Sequence, residues 1–484
     1  MPAAHAPALV WFRDDLRLTD QPALRAALDS GRPLICLYLY DAGASEGRPL
    51  GGAVRWWLHH SLAAHSAALE KIGGRLDLLA GDHADLPAIA QALGAAAVYW
   101  TRRYGAAAIE SDKAVKAALL EAGLEAQSFN GQLLREPWEV TTQAGAPMRV
   151  YSPFWRAHQA LGDTGAPIPA PRKIQPADWP RKAPARVALD SLRLLPAKPD
   201  WAGGLRAEWT PGEAGAKARL KAFFKGGLAA YAQERDLPAK PSTSRLSPHL
   251  RFGEISPRSV LQATRHLEAE TPALNKGATK FLAEIGWREF AFHLLFHNPQ
   301  LATRNHQPRF DAFPWRTPDA ATLRAWREGR TGYPIVDAGM RELWRTGFMH
   351  NRVRMIVASF LVKHLLVDWR VGEEWFWDTL CDADPANNPA SWQWVAGSGA
   401  DAAPYFRIFN PMIQGEKFDP EGDYVRAHVP ELARVPKKFI HTPWLAPTEI
   451  LAAAGVTLGA TYPAPIVDHA SARDRALAAF STLT

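Results

Sequence analysis

Leu9-Val10-Trp11-Phe12 is a short, continuous apolar run at the start of a region in which such runs alternate with helical patterns. Four further runs follow, separated by alanine-rich helical patterns: Leu34–Tyr40, Arg75–Ala80, Ala96–Trp100 and Glu125–Phe129. Continuous apolar strands that alternate with helices are typical of a parallel sheet covered by helices on both faces. The pattern therefore predicts an N-terminal α/β domain with a doubly wound parallel sheet over residues 1–130.

Local signals place the first helices of this domain. Asp20 is expected to cap a helix with Pro22 in its first turn, and a longer helix is predicted from Val54 to Ile72. Sheets of this kind bind ligands at the carboxyl ends of their strands. No GxGxxG motif follows the first strand, so a dinucleotide site of that type is not predicted.

The composition changes between Thr164 and Pro211, where prolines recur every few residues. Because proline lacks a backbone N–H and fixes its own backbone angle, it disfavours helix interiors and central strands. We therefore expect an extended connector, placed at residues 131–210. Beyond it, helical periodicity continues to about Leu380 without strand alternation, which predicts an all-α C-terminal domain over residues 211–484.

The charge and the aromatic content indicate a class of partner. The chain carries a net charge of +7, and nine of its 19 tryptophans lie between Trp287 and Trp394 among many arginines. Aromatic rings beside basic side chains suit single-stranded or flipped bases, although indoles that merely fill a large helical core would give the same pattern.

Other classes of site and location are not indicated. Cys36 and Cys381 allow at most one disulfide, which fits a reducing compartment. There is no CxxC or His/Cys cluster, and the Asp382-Ala383-Asp384 loop lacks the glycine and glutamate of an EF-hand, so no metal site is predicted. No signal region and no apolar run of about 18 residues is present. We expect a cytoplasmic monomer without a membrane segment.

The richest stretch for chemistry is Phe348-Met349-His350-Asn351-Arg352-Val353-Arg354-Met355, which places an amide and two guanidiniums beside a thioether. Trp392-Gln393-Trp394 and Asp401–Pro411 follow it. Hydrogen-bond donors beside flat apolar rings suit a planar polar ligand.

Two further stretches contain candidate ligand contacts. Thr243-Ser244-Arg245-Leu246-Ser247 could hold phosphates at the start of a helix, although hydroxyl residues before a proline are more often caps or turns. In the predicted helix Phe281–Phe290, Glu284 shares a face with Arg288. From the residues alone, an ion pair between these two side chains explains their spacing best.

Together these stretches resemble the photolyase/cryptochrome family, and within it the class I or III enzymes that repair cyclobutane pyrimidine dimers in DNA. The resemblance extends over nearly the whole chain and implies that the all-α domain binds FAD. The residues that it assigns to FAD are Tyr231, Thr243, Ser244, Arg245, Leu246, Ser247, Arg288, Arg354, Asp382, Asp384 and Asn388. Among these, Arg354 and Asp382 are expected to form an ion pair against the flavin.

The resemblance also implies how a flipped dimer would be held and how electrons would reach the flavin. Glu284 and Asn351 would hydrogen-bond the dimer. Trp287, Met355 and Trp394 would contact it, and Arg352 would hold a neighbouring phosphate. Trp392, Trp369 and Trp315 match a chain of indoles leading from the flavin to the surface, although from the sequence alone core filling is the better interpretation of each. Phe281 stands where many relatives carry Trp.

A light-collecting second chromophore is expected in the N-terminal domain, with methenyltetrahydrofolate as the predicted compound. Trp56, Trp57 and Glu110 are the candidate contacts, although the paired indoles could simply cover the sheet. The chain lacks an Asn directly before Glu110, which some folate-binding relatives have.

Two alternatives within the family remain. A cryptochrome, which senses blue light without repair, would share the flavin site but commonly lacks the full set of dimer-facing residues. A (6-4) photoproduct enzyme typically carries histidine where Asn351 stands. A purely structural DNA-binding protein would leave the flavin motifs unexplained.

Overall fold

The computed structural model describes residues 6–43, 47–403 and 406–483. Pro404 and Tyr405, which belong to the stretch Asp401–Pro411 singled out in the sequence, lie outside the described residues. In the described part of the chain, no helix is both long and apolar enough to cross a bilayer.

The N-terminal unit contains the predicted parallel sheet. Its five strands run in the order β3-β2-β1-β4-β5, and every neighbouring pair is parallel. Every residue of β1 is buried, because helices cover both faces of the central strand. The doubly wound fold class is confirmed. The strands are β1 Ala8–Phe12, β2 Leu34–Tyr40, β3 Leu76–Ala80, β4 Ala97–Thr101 and β5 Glu125–Phe129.

The strand order reverses between β1 and β4, so a crevice opens at the carboxyl ends of these two strands. Four helices accompany the sheet: α1 Pro22–Asp29, α2 Gly52–Glu70, α3 Leu86–Ala92 and α4 Ala106–Glu121. The predicted capping of α1 is wrong in detail, because the Gln21 side chain, not Asp20, accepts the Ala23 N–H. Asp20 instead accepts a 2.5 Å hydrogen bond from the hydroxyl of Ser256.

The proline-rich stretch runs along the N-terminal unit. Its backbone bonds to that of the sheet at two strands, with Ala177 N donating to Leu34 O at 2.9 Å and Val187 N to Leu78 O at 2.9 Å. Two helices lie between the units, α5 Tyr151–Ala160 and α6 Gly203–Glu208. Of these, α5 packs against the helix Asn275–His297 (α11) of the second unit.

The second unit is built of helices throughout its described residues, as expected. Turns of π type at Phe223–Gly227 and Phe360–His364 continue two of its helices, which end at Ala222 and Ser359. The helices are α7 Glu213–Ala222, α8 Leu228–Glu234, α9 Ser247–Arg251, α10 Pro257–Glu270, α11 Asn275–His297, α12 Ala320–Arg327, α13 Pro334–Thr346, α14 Asn351–Ser359, α15 Trp369–Thr379, α16 Asn387–Ala396, α17 Pro411–Phe418, α18 Asp423–His428, α19 Thr448–Ala454 and α20 His469–Ser481.

A buried carboxylate joins the two units. Glu254 is fully buried, and its Oε1 accepts hydrogen bonds from Trp57 Nε1 of α2 at 3.0 Å and from Gly212 N at 2.6 Å. Its second oxygen contacts His249 Nδ1 of α9. Because a buried charge is costly without partners, these contacts fix the start of the helical unit against the sheet unit.

Candidate active site

An ion pair joins three segments of the helical unit. Arg354 of α14 meets Asp382 in a two-point contact, with Nη1–Oδ1 at 3.1 Å and Nη2–Oδ2 at 2.8 Å. Asp382 Oδ2 also accepts the hydroxyl of Ser247, the first residue of α9, at 2.5 Å. The predicted pairing of Arg354 with Asp382 is present. It brings the segment before α9 next to the loop before α16.

Arg245 has the strongest unmet hydrogen-bonding capacity in this region. Its backbone is left-handed, with φ of 51°. Its Nη1 contacts Glu208 Oε1 at 2.9 Å, while the guanidinium lies over the rings of Trp209 and Phe348. Arg245 Nε and Nη2 are buried and have no partner within the described residues. Two unsatisfied cationic donors are suited to an anion such as the pyrophosphate of FAD.

The neighbours of Arg245 share its position just before α9. Thr243 and Ser244 are half-buried, and Leu246 is buried beneath the turn. Tyr231 of α8 lies in the core, with its ring 5.7 Å from that of Phe281 on α11. Tyr231 and Leu246 belong to one apolar cluster, and the contacts of all these residues with FAD remain a prediction.

Asn388, predicted to face the flavin, is oriented by a chain of contacts. Its amide nitrogen donates to the backbone oxygen of Glu373 at 3.0 Å and to Glu373 Oε1 at 2.8 Å. Glu373 is held in turn by both terminal nitrogens of Arg48, at 2.9 and 2.6 Å. The side-chain oxygen of Asn388 is thereby left as its accepting atom.

Asp384 and Arg288 have further roles that sequence reasoning missed. Asp384 Oδ1 accepts the backbone N–H groups of Ala386 and Asn387, at 2.8 and 2.6 Å, and so orders the start of α16. Arg288 donates to the backbone oxygen of Gln132 at 2.7 Å. Both side chains line a cleft between the two units.

The acid predicted to face the substrate has an unexpected partner. Glu284 forms an ion pair with Arg235, the residue after α8, and not with Arg288. The interpretation of Glu284 and Arg288 as a simple helical ion pair is therefore wrong. Sequence reasoning missed Arg235 as a site residue, because its helical neighbours give no sign of a contact 49 positions away.

One aromatic platform is built from two helices. The ring of Trp287 stacks on that of Tyr151 from α5, with a centroid distance of 3.7 Å and an interplanar angle of 10°. The Tyr151 hydroxyl donates to Ala283 O at 2.6 Å, and this hydrogen bond fixes the position of the Tyr151 ring. Trp394, the other predicted platform, donates from Nε1 to Asp401 O at 3.0 Å.

The start of α14 presents the remaining predicted substrate contacts. Asn351 is its first residue and is exposed, Met355 is half-buried, and Arg352 pairs with Asp236 at 3.0 Å. Burial lowers the pKa of His350 to about 4, so its ring is neutral near pH 7. The neutral ring accepts the Arg352 N–H through Nδ1 at 3.2 Å and caps the helix.

The three relay candidates differ in burial. Trp392 and Trp369 are almost fully buried, whereas Trp315 is half-buried. Trp369 Nε1 donates to Asn305 Oδ1 at 2.9 Å. Gly372, one turn after Trp369, allows α15 to approach Trp392 closely, because a Cβ there would lie 2.1 Å from the Trp392 ring.

Two family models match this chain. One describes DNA photolyase and matches residues 8–172, and the other describes the FAD binding domain of DNA photolyase and matches residues 281–482. The chain is 54% identical over 480 residues to a deoxyribodipyrimidine photo-lyase of Agrobacterium fabrum, covering 99% of this chain and 98% of that relative. The chain belongs to the DNA photolyase family.

The structures agree with this assignment. A bacterial class III photolyase from Agrobacterium tumefaciens superposes with a TM-score of 0.94 at 54% identity, covering all of this chain and 98% of the other. Cryptochrome-1 of Arabidopsis thaliana is 39% identical over 96% of this chain and 69% of its own length. As in other members of the DNA photolyase family, the helical unit binds FAD.

The predicted contacts for a second chromophore in this photolyase-family chain do not form one site. Trp56 and Trp57 are buried in the core, where Trp57 packs on Trp209 and Phe252. Glu110 is exposed and pairs with Lys113. The grouping of these three residues is wrong, because α2 turns its indoles away from solvent and toward the helical unit.

A different cleft lies where the fold predicts ligands. Tyr38 and Tyr40 of β2, Asp14 after β1, and Arg103 and Tyr104 after β4 line it. Although burial raises the pKa of Asp14, Arg251 at 2.7 Å and Arg103 at 3.0 Å hold that pKa below its usual value. Burial together with the nearby arginines lowers the pKa of His83 to about 2. The cleft thus combines aromatic rings with fixed charges.

Arg245→Ala should weaken FAD binding. The loss of a charge-assisted hydrogen bond of roughly 1.5–3 kcal/mol predicts about a tenfold or greater rise in the FAD dissociation constant. Titration of the apoprotein, followed by flavin fluorescence, would measure it. Arg473→Ala, which removes an exposed arginine paired with its neighbour Asp474, is the matched control. Unchanged affinity in Arg245→Ala would contradict the phosphate role.

Proposed function

We propose that this chain is a deoxyribodipyrimidine photo-lyase that uses light to repair cyclobutane pyrimidine dimers in DNA. The observation that carries the proposal is the set of side chains around the FAD segments. Glu284 lies on α11 three residues before the stacked ring of Trp287. The exposed amide of Asn351 begins α14, and its neighbour Arg352 is connected to Glu284 through Asp236 and Arg235. Family membership and the near-complete match to a relative named for this activity support it.

Bound FAD, in its reduced form, supplies the light-absorbing group and the electron that opens the dimer. The protein holds the dimer in position. Glu284 and Asn351 donate or accept hydrogen bonds at its polar edge, where charge develops, and preorganised polar groups lower the barrier at such positions. Trp287 and Trp394 contact its faces, Met355 packs beside it, and Arg352 binds a neighbouring phosphate.

Extrusion of the dimer suits this arrangement. Photolyases belong to the enzymes that flip their target out of the helix, and the cost is lower for a lesion that pairs poorly. A blue-light sensor of the cryptochrome type is the weaker candidate. A sensor would need FAD but neither the acid nor the exposed amide. In addition, the relative named deoxyribodipyrimidine photo-lyase matches this chain over nearly the whole length of both proteins.

Glu284→Ala should lower the rate of dimer repair about 10- to 100-fold, since a hydrogen bond to a charged group contributes roughly 1.5–3 kcal/mol. FAD content should stay at the parent level, because Glu284 faces substrate. Repair is measured as loss of dimers from irradiated oligonucleotides under blue light, with a dark control. Glu121→Ala, an exposed acid of α4, should repair at the parent rate. Parent protein without light-dependent repair would refute the proposed function.

We also propose that Trp392, Trp369 and Trp315 pass electrons between the surface and the protein interior. Their graded burial supports this order, since the half-buried Trp315 is the member that meets solvent. The close approach of α15 to Trp392 at Gly372 keeps α15, which carries Trp369, in contact with α16, which carries Trp392.

Trp369→Phe should abolish photoreduction of oxidised FAD by an external reductant, because phenylalanine is far harder to oxidise than tryptophan. Protein that was reduced chemically beforehand should repair dimers normally. Flavin absorbance under blue light measures the first result. Trp138→Phe, at an exposed position in the N-terminal half, is the control. Equal photoreduction in the Trp369 variant and the parent would exclude this residue from the path.

We propose that the cleft at the carboxyl ends of β1, β2 and β4 holds the second chromophore, methenyltetrahydrofolate. Its tyrosine rings suit a pterin, its carboxylates suit an amino-pyrimidine edge, and its arginines suit the glutamyl carboxylates. Arg288 and Asp384, which also line the cleft, connect it to segments of the FAD unit.

Tyr40→Ala should therefore reduce the amount of methenyltetrahydrofolate that stays bound after gel filtration, while FAD content is unchanged. Trp56→Phe, which alters a buried indole outside the cleft, should retain the folate. Near-ultraviolet absorbance of the reconstituted proteins gives both amounts. The reverse result, loss of the folate in Trp56→Phe and retention in Tyr40→Ala, would place the folate site at α2.

A further inference from the structure

Four charged side chains form a line of alternating sign along the rim of the proposed dimer site. Glu284 pairs with Arg235, Arg235 Nε lies 3.9 Å from Asp236 Oδ1, and Asp236 Oδ2 contacts Arg352 Nη2 at 3.0 Å. Glu284 and Arg352 end the line. These are also the residues proposed to hold the dimer and a DNA phosphate, so the line connects the two substrate contacts.

The links of this line are unequal. Arg235 and Asp236 are adjacent in the chain, yet their contact is the loosest, because each carboxylate is drawn to a different arginine. Side-chain exposures of 19–36% keep all four groups within reach of solvent and of an arriving ligand. Carboxylates that share a set of cations compete for them, so a change at one end of the line alters the pairing at the other.

Arg352 has the capacity for a second anion. Its guanidinium lies over the ring of Phe418, 4.4 Å from the centroid, and its Nε is buried with no partner in the described chain. Phosphates bind arginine through two parallel N–H groups. A phosphate that engages Arg352 in this way competes with Asp236 for the same cation.

We infer that Asp236 is a positioning residue that couples the phosphate contact at Arg352 to the availability of Glu284 for the dimer. In the protein without DNA, Asp236 neutralises Arg352, and Arg235 holds Glu284. When a phosphate takes Arg352, Asp236 turns to Arg235, and Arg235 loosens its hold on Glu284. Glu284 then meets the dimer. This inference rests on the proposed function, because it requires both substrate contacts.

The coupling favours damaged DNA. Binding of intact DNA breaks the Asp236–Arg352 pair but adds no contact with Glu284. Binding of damaged DNA breaks the same pair and gains the contact between Glu284 and the dimer. Without the Asp236 charge, Arg352 would attract any phosphate. Arg235 would then have no second carboxylate in the line to draw it away from Glu284. Both effects reduce discrimination between damaged and intact DNA.

Asp236→Asn should therefore lower the ratio of damaged- to intact-DNA affinity about threefold or more, the size expected of one partly exposed ion pair. Affinity for intact duplex should rise, and the log–log salt slope for it should steepen by about one unit, as for one added phosphate contact. Asp236→Glu, which keeps the charge, should restore most of the ratio. Fluorescence anisotropy with matched dimer-containing and intact oligonucleotides measures all of these values.

Asp200→Asn is the matched control. Asp200 pairs with Arg206 in an exposed ion pair at 2.6 Å, so its loss changes the net charge equally without touching the line. The ratio should stay at the parent value in this variant. An equal fall in both variants would attribute the effect to net charge and overturn the inference.

A double-mutant cycle tests the coupling itself. For binding to damaged DNA, Arg352→Ala and Glu284→Ala should be non-additive in the parent, because the phosphate contact determines whether Glu284 is released. In the Asp236→Asn background the two effects should add. Additive effects in the parent, or equal non-additivity in both backgrounds, would overturn the role of Asp236.

Failure of the inference about Asp236 and failure of the proposed function give different results. A parent protein that binds and repairs damaged DNA, with an Asp236→Asn variant that keeps the parent ratio, overturns the inference alone. A parent protein without preference for damaged DNA overturns the proposed function, and the inference with it. Flavin absorbance and the thermal midpoint of each variant confirm that all the compared proteins are folded and loaded.

Discussion

The carboxylate of Glu254 is the contact on which the arrangement of the two units depends. It is buried where the sheet unit meets the helical unit, and its oxygens need the partners that an indole, a backbone amide and an imidazole supply there. This requirement fixes α2 against α9. The segment at the start of α9 carries Arg245 and Ser247, which are predicted to contact FAD, so packing between the units positions residues of the predicted FAD site.

Within the site, charge pairing arranges residues that are far apart in the chain. Arg354 and Asp382 bring α14 to the loop before α16, and Glu284 and Asp236 each hold an arginine at the rim. Glu284 and Arg352, which are proposed to contact substrate, are thus each paired with a side chain of opposite charge. Preorganisation of this kind reduces the rearrangement needed when charge develops during the reaction.

The sequence predicted the parallel sheet and the all-helical second unit, because buried parallel strands leave continuous apolar runs and helices leave a periodic apolar pattern. The resemblance of its long motifs to the family also predicted FAD as the cofactor, which the matching family model supports. Sequence reasoning failed where contacts depend on tertiary packing. Trp56 and Trp57 have the composition of a ligand platform, and only the direction of α2 shows that they face the core. The partner of Glu284 likewise depends on how α8 meets α11.

Arg48 makes the helical unit depend on a side chain of the sheet unit. It belongs to the loop after β2, yet it neutralises Glu373 and stacks 3.5 Å over the ring of Trp377, deep in the other unit. Glu373 in turn orients Asn388. A helical unit expressed alone, or grafted onto a foreign sheet unit, would lose this cation and leave a buried acid beside the flavin segment. The two halves are therefore not interchangeable modules, and recombination between relatives would have to carry the β2 loop together with α15.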